Sequence, residues 1–218
     1  MKIKNIVWDW NGTIVDDSWL FVEIMNIFLK KHGLPQTSIQ DYRKSFVFPI
    51  KKYWASLGFI LNSNEFENIN SKFINLYKTQ MFRASLHSKI TCVLNSLKQE
   101  GFVQILLSAS EKSLLQRGLS FYKLDGFFHS FWGVDNFNAT GKTQLSQNLL
   151  LKTKIQPSET LLIGDTLYDL EVANACGFEC LLVSYGHFNQ CRLNQKHSKV
   201  VNSPAEVLNF VLSNYNTM

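Results

Sequence analysis

Apolar positions fall in short runs whose period changes along the chain. Ile3 to Trp8 forms the first of these runs and has the length of a strand. From Lys89 onward the pattern alternates. Helical spacing over Lys89–Glu100 stops at Gly101, and Phe102–Leu107 then has the apolar density of a buried strand. Helical spacing returns over Glu111–Tyr122, a short aromatic strand follows at Gly126–Trp132, and another helix spans Lys142–Lys152. Thr160–Ile163 is a strand, Leu167–Cys176 a helix closed by Gly177, Cys180–Val183 and Lys199–Val201 further strands, and Pro204–Leu212 a last helix. Strands that alternate with helices in this way predict a parallel sheet covered on both faces. The crossovers of such a sheet are right-handed. The expected class is α/β, with a Rossmann-like doubly wound core.

Ile14 to His87 breaks that pattern and shows no clear strand. Ser18–Lys31 has helical apolar spacing and ends on His32-Gly33-Leu34-Pro35, a stop signal. Ile39–Phe46, Ile50–Leu57 and Glu65–Met81 also have helical spacing, punctuated by Pro49 and Gly58. We expect an all-helical cap over residues 15–85, inserted into a core of 1–14 and 86–218, with hinges near Val15 and Ser85. Tyr42, Phe46, Phe48, Tyr53, Trp54 and Phe59 are expected to be the insert's own core.

Composition narrows the class. The chain has 218 residues, 45% of them apolar, enough for one core and a smaller second unit. No apolar run approaches the ~18 residues of a membrane span, and no secretory leader pattern precedes the first strand, so a cytoplasmic location is expected. Cys92, Cys176, Cys180 and Cys191 have neither Cys-x-x-Cys spacing nor the density of a disulfide scaffold, which predicts reduced thiols. A zinc site from Cys191, His187 and His197 is a bare alternative. The net charge of +5 is spread over short pairs such as Lys30-Lys31 and Lys51-Lys52, not a nucleic-acid stripe. A small anionic partner fits better, with the chain a monomer or a homodimer.

Four separated segments bring chemistry to one sheet edge. Asp9 follows the first strand in Asp9-Trp10-Asn11-Gly12-Thr13; Ser108 follows the strand Phe102–Leu107. Lys142 follows Ala139-Thr140-Gly141, and Asp165 follows the strand Thr160–Ile163, with Asp169 one helical turn later. Singly, each has a structural reading: Ser108 as an N-cap completed by Glu111, Asp165 and Asp169 as complements of a helix N-terminus, Lys142 as a surface lysine. Jointly they lie at carboxyl ends of parallel strands, where open sheets bind ligands. Two carboxylates about 4 Å apart repel by ~4 kcal/mol at an effective dielectric of about 20. Three acids in one crevice therefore raise their pKa values or recruit a cation, and hard oxygen ligands beside a phosphate suit magnesium. Lys142 adds positive charge, and Ser108 with the backbone N–H groups around Ala109 adds donors. The set suits phosphoryl transfer.

These motifs, in this order, resemble the haloacid dehalogenase superfamily in its phosphoglycolate phosphatase-like branch. Asp9-x-Asn11-Gly12-Thr13 is similar to its first motif, Ser108 to the second, Lys142 to the third and Gly164-Asp165-x-x-x-Asp169 to the fourth. Tyr42-Arg43-x-x-Phe46 with Pro49 resembles segments of the family's cap. The resemblance implies a small phosphorylated metabolite as substrate, attacked by Asp9 to form an aspartyl phosphate. It also implies a Mg2+ held by Asp9, the Asn11 carbonyl and Asp165, with Asp169 as a further ligand or partner. Ser108 and Lys142 would hold the phosphoryl oxygens, and Arg43, Lys51 and Arg83 are candidates for reading the leaving group.

Asn11 departs from the pattern, because the family usually has Asp there to protonate the leaving oxygen. An amide cannot, and general acid catalysis typically contributes ~10²–10⁴-fold. The implied alternatives are an enzyme whose substrate needs little protonation, a slow phosphatase, or a regulatory phosphometabolite-binding protein. A dehalogenase is disfavoured by Asp165 and Asp169, which would repel a carboxylate substrate. A phosphonate-cleaving relative would use Lys51 or Lys52 as a Schiff base. Gly141-Lys142-Thr143 fails as a P-loop because Asn136 stands where its first glycine belongs, and no Gly-x-Ser-x-Gly elbow occurs.

Overall fold

The computed structural model describes residues 3–60, 62–134 and 142–215, the side chain of Thr143 apart. The chain begins in β1 (Asn5–Trp8), enters a two-residue strand β2 (Val15–Asp16), and then runs through four helices, α1 (Ser18–Lys31), α2 (Ile39–Ser45), α3 (Ile50–Ser56) and α4 (Ser63–Gln80). It returns through β3 (Ser85–Leu86) to α5 (Ile90–Gln99), β4 (Val103–Glu111), α6 (Lys112–Phe121) and β5 (Ser130–Val134). The remainder is α7 (Lys142–Thr153), β6 (Thr160–Gly164), α8 (Leu167–Cys176), β7 (Glu179–Val183), α9 (Gln190–Asn194), β8 (Val200–Val201) and α10 (Pro204–Tyr215).

Six strands form one parallel sheet in the order β5-β4-β1-β6-β7-β8. This is the doubly wound Rossmann-like arrangement. From β1 the chain first builds outward through β4 and β5, then crosses to β6 and builds the other way. The order therefore reverses at β1, and the crevice beyond its carboxyl end is the expected ligand position. Alternation along the strands splits the core. Ile6 and Trp8 of β1 pack with Leu94, Leu97, Leu115 and Val211 on one face, while Val7 packs on the other with Leu149 and Val172. Burial on both faces explains why the strands are near-continuous apolar runs.

The helices of the insert are capped as their sequences suggest. Ser38 Oγ accepts from the Asp41 N–H at 3.1 Å, and Asn62 with Glu65 forms a reciprocal capping box. Tyr53, Trp54 and Phe59 are buried, as expected of the insert's core. Tyr42 and Phe46 are buried as well but pack partly on His187 and Phe188 outside the insert. Phe48 is 43% exposed and lies against Tyr168, so Tyr42, Phe46 and Phe48 are not the insert's core alone.

Four sequence expectations need correction. The stretch from Ile14 to His87 does contain strand: β2 and β3 pair antiparallel, Val15 with Leu86 and Asp16 with Ser85, where the insert leaves and rejoins the core. Two residues per strand are too few to produce a period-2 signal. The aromatic strand begins at Ser130, because Asp125–Phe127 forms a 3-10 turn first. Ser108 does not cap a helix: β4 continues irregularly to Glu111, which is itself the residue before α6. Finally, His187, Cys191 and His197 do not form a cluster; Cys191 is exposed, and His197 Nε2 lies 2.9 Å from the Cys180 carbonyl.

Candidate active site

Asp9 is the first residue past β1, and its N–H donates to the Ile163 carbonyl of β6 at 2.9 Å. The bond carries the ladder one residue beyond the strand and points the side chain into the crevice. Asp165 follows β6 directly, and Asp169 sits in the first turn of α8. Carboxylate oxygens of these three buried acids all lie within 4.8 Å of one another. Lys142, at the start of α7, donates from Nζ to Asp9 Oδ1 and to Asp169 Oδ1, each at 2.5 Å. Thr13 Oγ1 spans Asp9 and Asp165 at 3.4 Å each.

Tight backbone approaches allow the convergence. The Asp165 carboxylate is wedged against two glycines: a Cβ on Gly12 or on Gly186 would stand 2.2 Å from Asp165 Oδ2. Gly12 also has φ of +77°, a conformation that other residues adopt only with strain. The His187 N–H donates to Asp165 Oδ2 at 2.5 Å. Asp169 has a second task, since its Oδ2 accepts from the Thr166 N–H and hydroxyl at 3.0 and 2.8 Å, closing the cap of α8. Its structural reading, as a complement of the helix N-terminus, holds.

One lysine does not neutralise three acids. Burial pushes the Asp9 carboxyl up to about 6, against the pull of Lys142. It pushes Asp165 up to about 8, with Asp9 and Asp169 adding to the effect. Burial opposes the charge on Lys142, but Asp169 and Asp9 outweigh it and hold that ammonium above the usual lysine range. An excess of buried negative charge, presented as hard oxygen donors, fits a divalent cation.

Ser108 and Ala109 line the cavity above this floor, and Ser108 Oγ accepts from the Ser110 N–H at 3.0 Å. Asn11 lies beside Asp9, with its Nδ2 donating to Asp17 Oδ2 at 2.5 Å and lying 2.7 Å from the Tyr77 hydroxyl. Its Oδ1 accepts from Ser110 at 2.8 Å. Residues 139–141, before Lys142, lie outside the described residues.

The cap cations stand elsewhere. Arg43 Nη2 donates to Ser18 Oγ and to the Tyr185 carbonyl, at 3.1 and 3.0 Å. Lys51 reaches Ser63 at 3.3 Å, and Arg83 pairs with Glu23 on the surface. None of the three lines the cavity over Asp9.

Sequence reasoning missed a second buried cluster. Asp17 accepts from Asn11, from the Gly12 N–H at 2.9 Å and from Tyr77 at 2.7 Å, with His187 Nε2 3.3 Å away. Tyr42 lies 2.7 Å from His187 Nδ1. Burial alone would raise the Asp17 carboxyl, but hydrogen bonds from His187, Tyr77 and Asn11 hold it low. Burial likewise opposes charge on His187, and Asp17 and Asp165 raise its pKa instead. The available signals were an acid shortly after the first motif and a histidine after Gly186. Neither indicates a partner by itself.

Known proteins resemble this chain in sequence and in fold. The profile of the family described as haloacid dehalogenase-like hydrolase matches residues 6–183. A phosphoglycolate phosphatase of Aquifex aeolicus is 25% identical over 190 residues, covering 85% of this chain and 86% of that protein. The pyrophosphatase PpaX of Bacillus mycoides is 23% identical over 195 residues, covering 85% of each. The crystal structure of a predicted phosphatase from Clostridium acetobutylicum superposes with a TM-score of 0.84 at 20% identity, over 98% of this chain and 100% of that one.

Proposed function

This chain belongs to the haloacid dehalogenase-like hydrolase family, and we propose that it is a divalent-metal-dependent phosphatase that acts through Asp9 on a small phosphomonoester. One observation carries the reading: three buried aspartates bring carboxylate oxygens within 4.8 Å of one another, beside a lysine that bonds two of them. The relatives' names, phosphoglycolate phosphatase and pyrophosphatase, support phosphoryl chemistry of this kind.

Asp9 attacks phosphorus in line with the ester oxygen. The new carboxylate–phosphorus bond forms as the bond to the leaving oxygen breaks, and that oxygen takes a proton from solvent. Water then attacks the phosphorus of the aspartyl phosphate, releasing inorganic phosphate and restoring Asp9. Asp9, Asp165 and the Asn11 carbonyl, with Asp169 alongside, would hold a Mg2+ that neutralises phosphoryl oxygens. Lys142 orients Asp9 and supplies a fixed positive charge, while Ser108 and the backbone at Ala109 offer donors to the transferring oxygens. Arg43 and Lys51, engaged as they are, leave the leaving group to other cap residues.

The Asn11 amide cannot donate the proton that a carboxyl would. Substrates with leaving oxygens of low basicity should therefore be turned over faster than simple alkyl esters. The test is phosphate release from a panel of phosphomonoesters with magnesium, with EDTA, and with Asp9→Asn protein as the blank. Release that is magnesium-dependent and absent in the variant is the expected result. Release that persists in the variant would remove Asp9 as nucleophile, and ligand-induced stabilisation without any release would favour a binding role.

A further inference from the structure

Above the acidic floor the cavity changes character. It holds about 220 Å³, and the cap and core together wall it with Phe21, Phe46, Phe48, Phe73, Ile74 and Tyr168. Several of these rings already stack on one another: Phe21 meets Phe73 edge-on at 5.5 Å, and Phe48 lies 5.1 Å from Tyr168. Among the described residues lining the cavity, Lys142 is the only lysine or arginine, and Asp9 and Asp169 already engage it. Arg43 is committed to Ser18 and Tyr185, Lys51 to Ser63 and Lys78 to Glu111.

A substrate is held at two ends here. Its phosphate must meet the floor, and its leaving group must lie against the rings. A carboxylate or second phosphate on the leaving group would be desolvated against phenylalanine, and the one other basic group among the described lining residues, His187, is already held by Asp17 and Tyr42. An apolar ring would lose water-exposed surface and gain edge contacts with the existing aromatics. A cavity of about 150 Å³ already accommodates benzene, so there is room for a ring.

Resting on the phosphatase reading, we propose that the preferred substrate is a phosphomonoester with a neutral, apolar, ring-bearing leaving group. Esters whose leaving group carries its own anionic charge are then the poor substrates. The wall, not the catalytic floor, makes that choice.

Benzyl phosphate and phosphoglycolate make a suitable pair because both leaving oxygens are alkoxides, so the comparison reads the wall and not leaving-group basicity. Wild-type kcat/KM should favour benzyl phosphate by roughly tenfold or more. Phe48→Arg, at a position 43% exposed and so tolerant of charge, should shrink or invert the ratio. Equal or faster turnover of phosphoglycolate would overturn the proposal. Thermal shifts of Asp9→Asn protein with each ester read the preference without turnover. Greater stabilisation by benzyl phosphate supports it, and equal, smaller or absent stabilisation counts against it. Should that binding preference hold while wild-type protein releases no phosphate from either ester, the phosphatase reading fails and the apolar pocket stands.

Discussion

Asn11 donates its side-chain amide to Asp17 Oδ2 across 2.5 Å. The residue that stands where an acid is usual is therefore built into a buried network with a different acid. Asn11→Asp would remove a donor from Asp17 and set two carboxyls in contact, which forces them to share a proton. The new carboxyl should stay protonated near neutral pH and act as the missing acid. We expect turnover of alkyl phosphates to rise by roughly 10²-fold, at a stability cost of about 1–3 kcal/mol for the lost donor. Steady-state kinetics with a melting curve checks both. An unchanged or lower rate in folded protein would show that protonation does not limit turnover.

Lys142 touches two buried acids, so its loss should register in stability as well as rate. Lys142→Met leaves Asp9 and Asp169 without their cation, a change that typically costs about 3–5 kcal/mol. Magnesium should then stabilise the variant more than the wild type, because more negative charge awaits it. Thermal melts with and without magnesium measure the difference. A smaller magnesium response in the variant would argue that the lysine and the metal do not share one charge balance.

The pH dependence of metal-free protein has a definite sign. Asp9 at about 6 and Asp165 at about 8 both bind protons more tightly folded than unfolded. Their contribution is complete below the unfolded carboxylate range near 4 and is lost as pH rises through the folded values. His187, raised above its ordinary value, acts in the same direction. With EDTA the melting temperature should fall between about pH 5 and pH 8, and saturating magnesium should abolish or reverse the fall. A flat profile in EDTA would mean that these carboxyls are already neutralised by protein groups.

Gly186→Ala tests the packing that aims Asp165. The added methyl would meet Asp165 Oδ2 at 2.2 Å and the Gly12 carbonyl at 2.5 Å, and the latter is backbone that cannot swing aside. Overpacking of this kind costs about 1–3 kcal/mol, and a displacement near 1 Å at the site should lower kcat/KM by roughly 10²-fold. Stabilisation by magnesium should weaken in parallel. Wild-type kinetics in this variant would show that Asp165 does not need its present position.

Much of the fold and the acidic floor was legible in the chain, because both rest on short-range regularities. Runs of four or more apolar residues alternating with helical spacing specify a covered parallel sheet, and such a sheet brings the residues after its strands to one edge. Asp9 after β1, Asp165 after β6 and Lys142 opening α7 follow from that rule. That position 11 is an amide is covalent fact and needs no fold to be known.

Tertiary structure decided the rest. Asp17, Tyr77 and His187 come from a strand end, a cap helix and a loop after β7, so no local pattern couples them; only the docking of the insert on the core does. Arg43, Lys51 and Arg83 lie in the expected segment, but the heads of long charged side chains go to whichever partner is nearest in space. Here those partners are Ser18 with Tyr185, Ser63 and Glu23. The apolar wall likewise exists only once α1, α4 and the Phe46–Phe48 segment close over the sheet edge. Periodicity is a property of neighbours along the chain, and a binding surface is a property of neighbours in space.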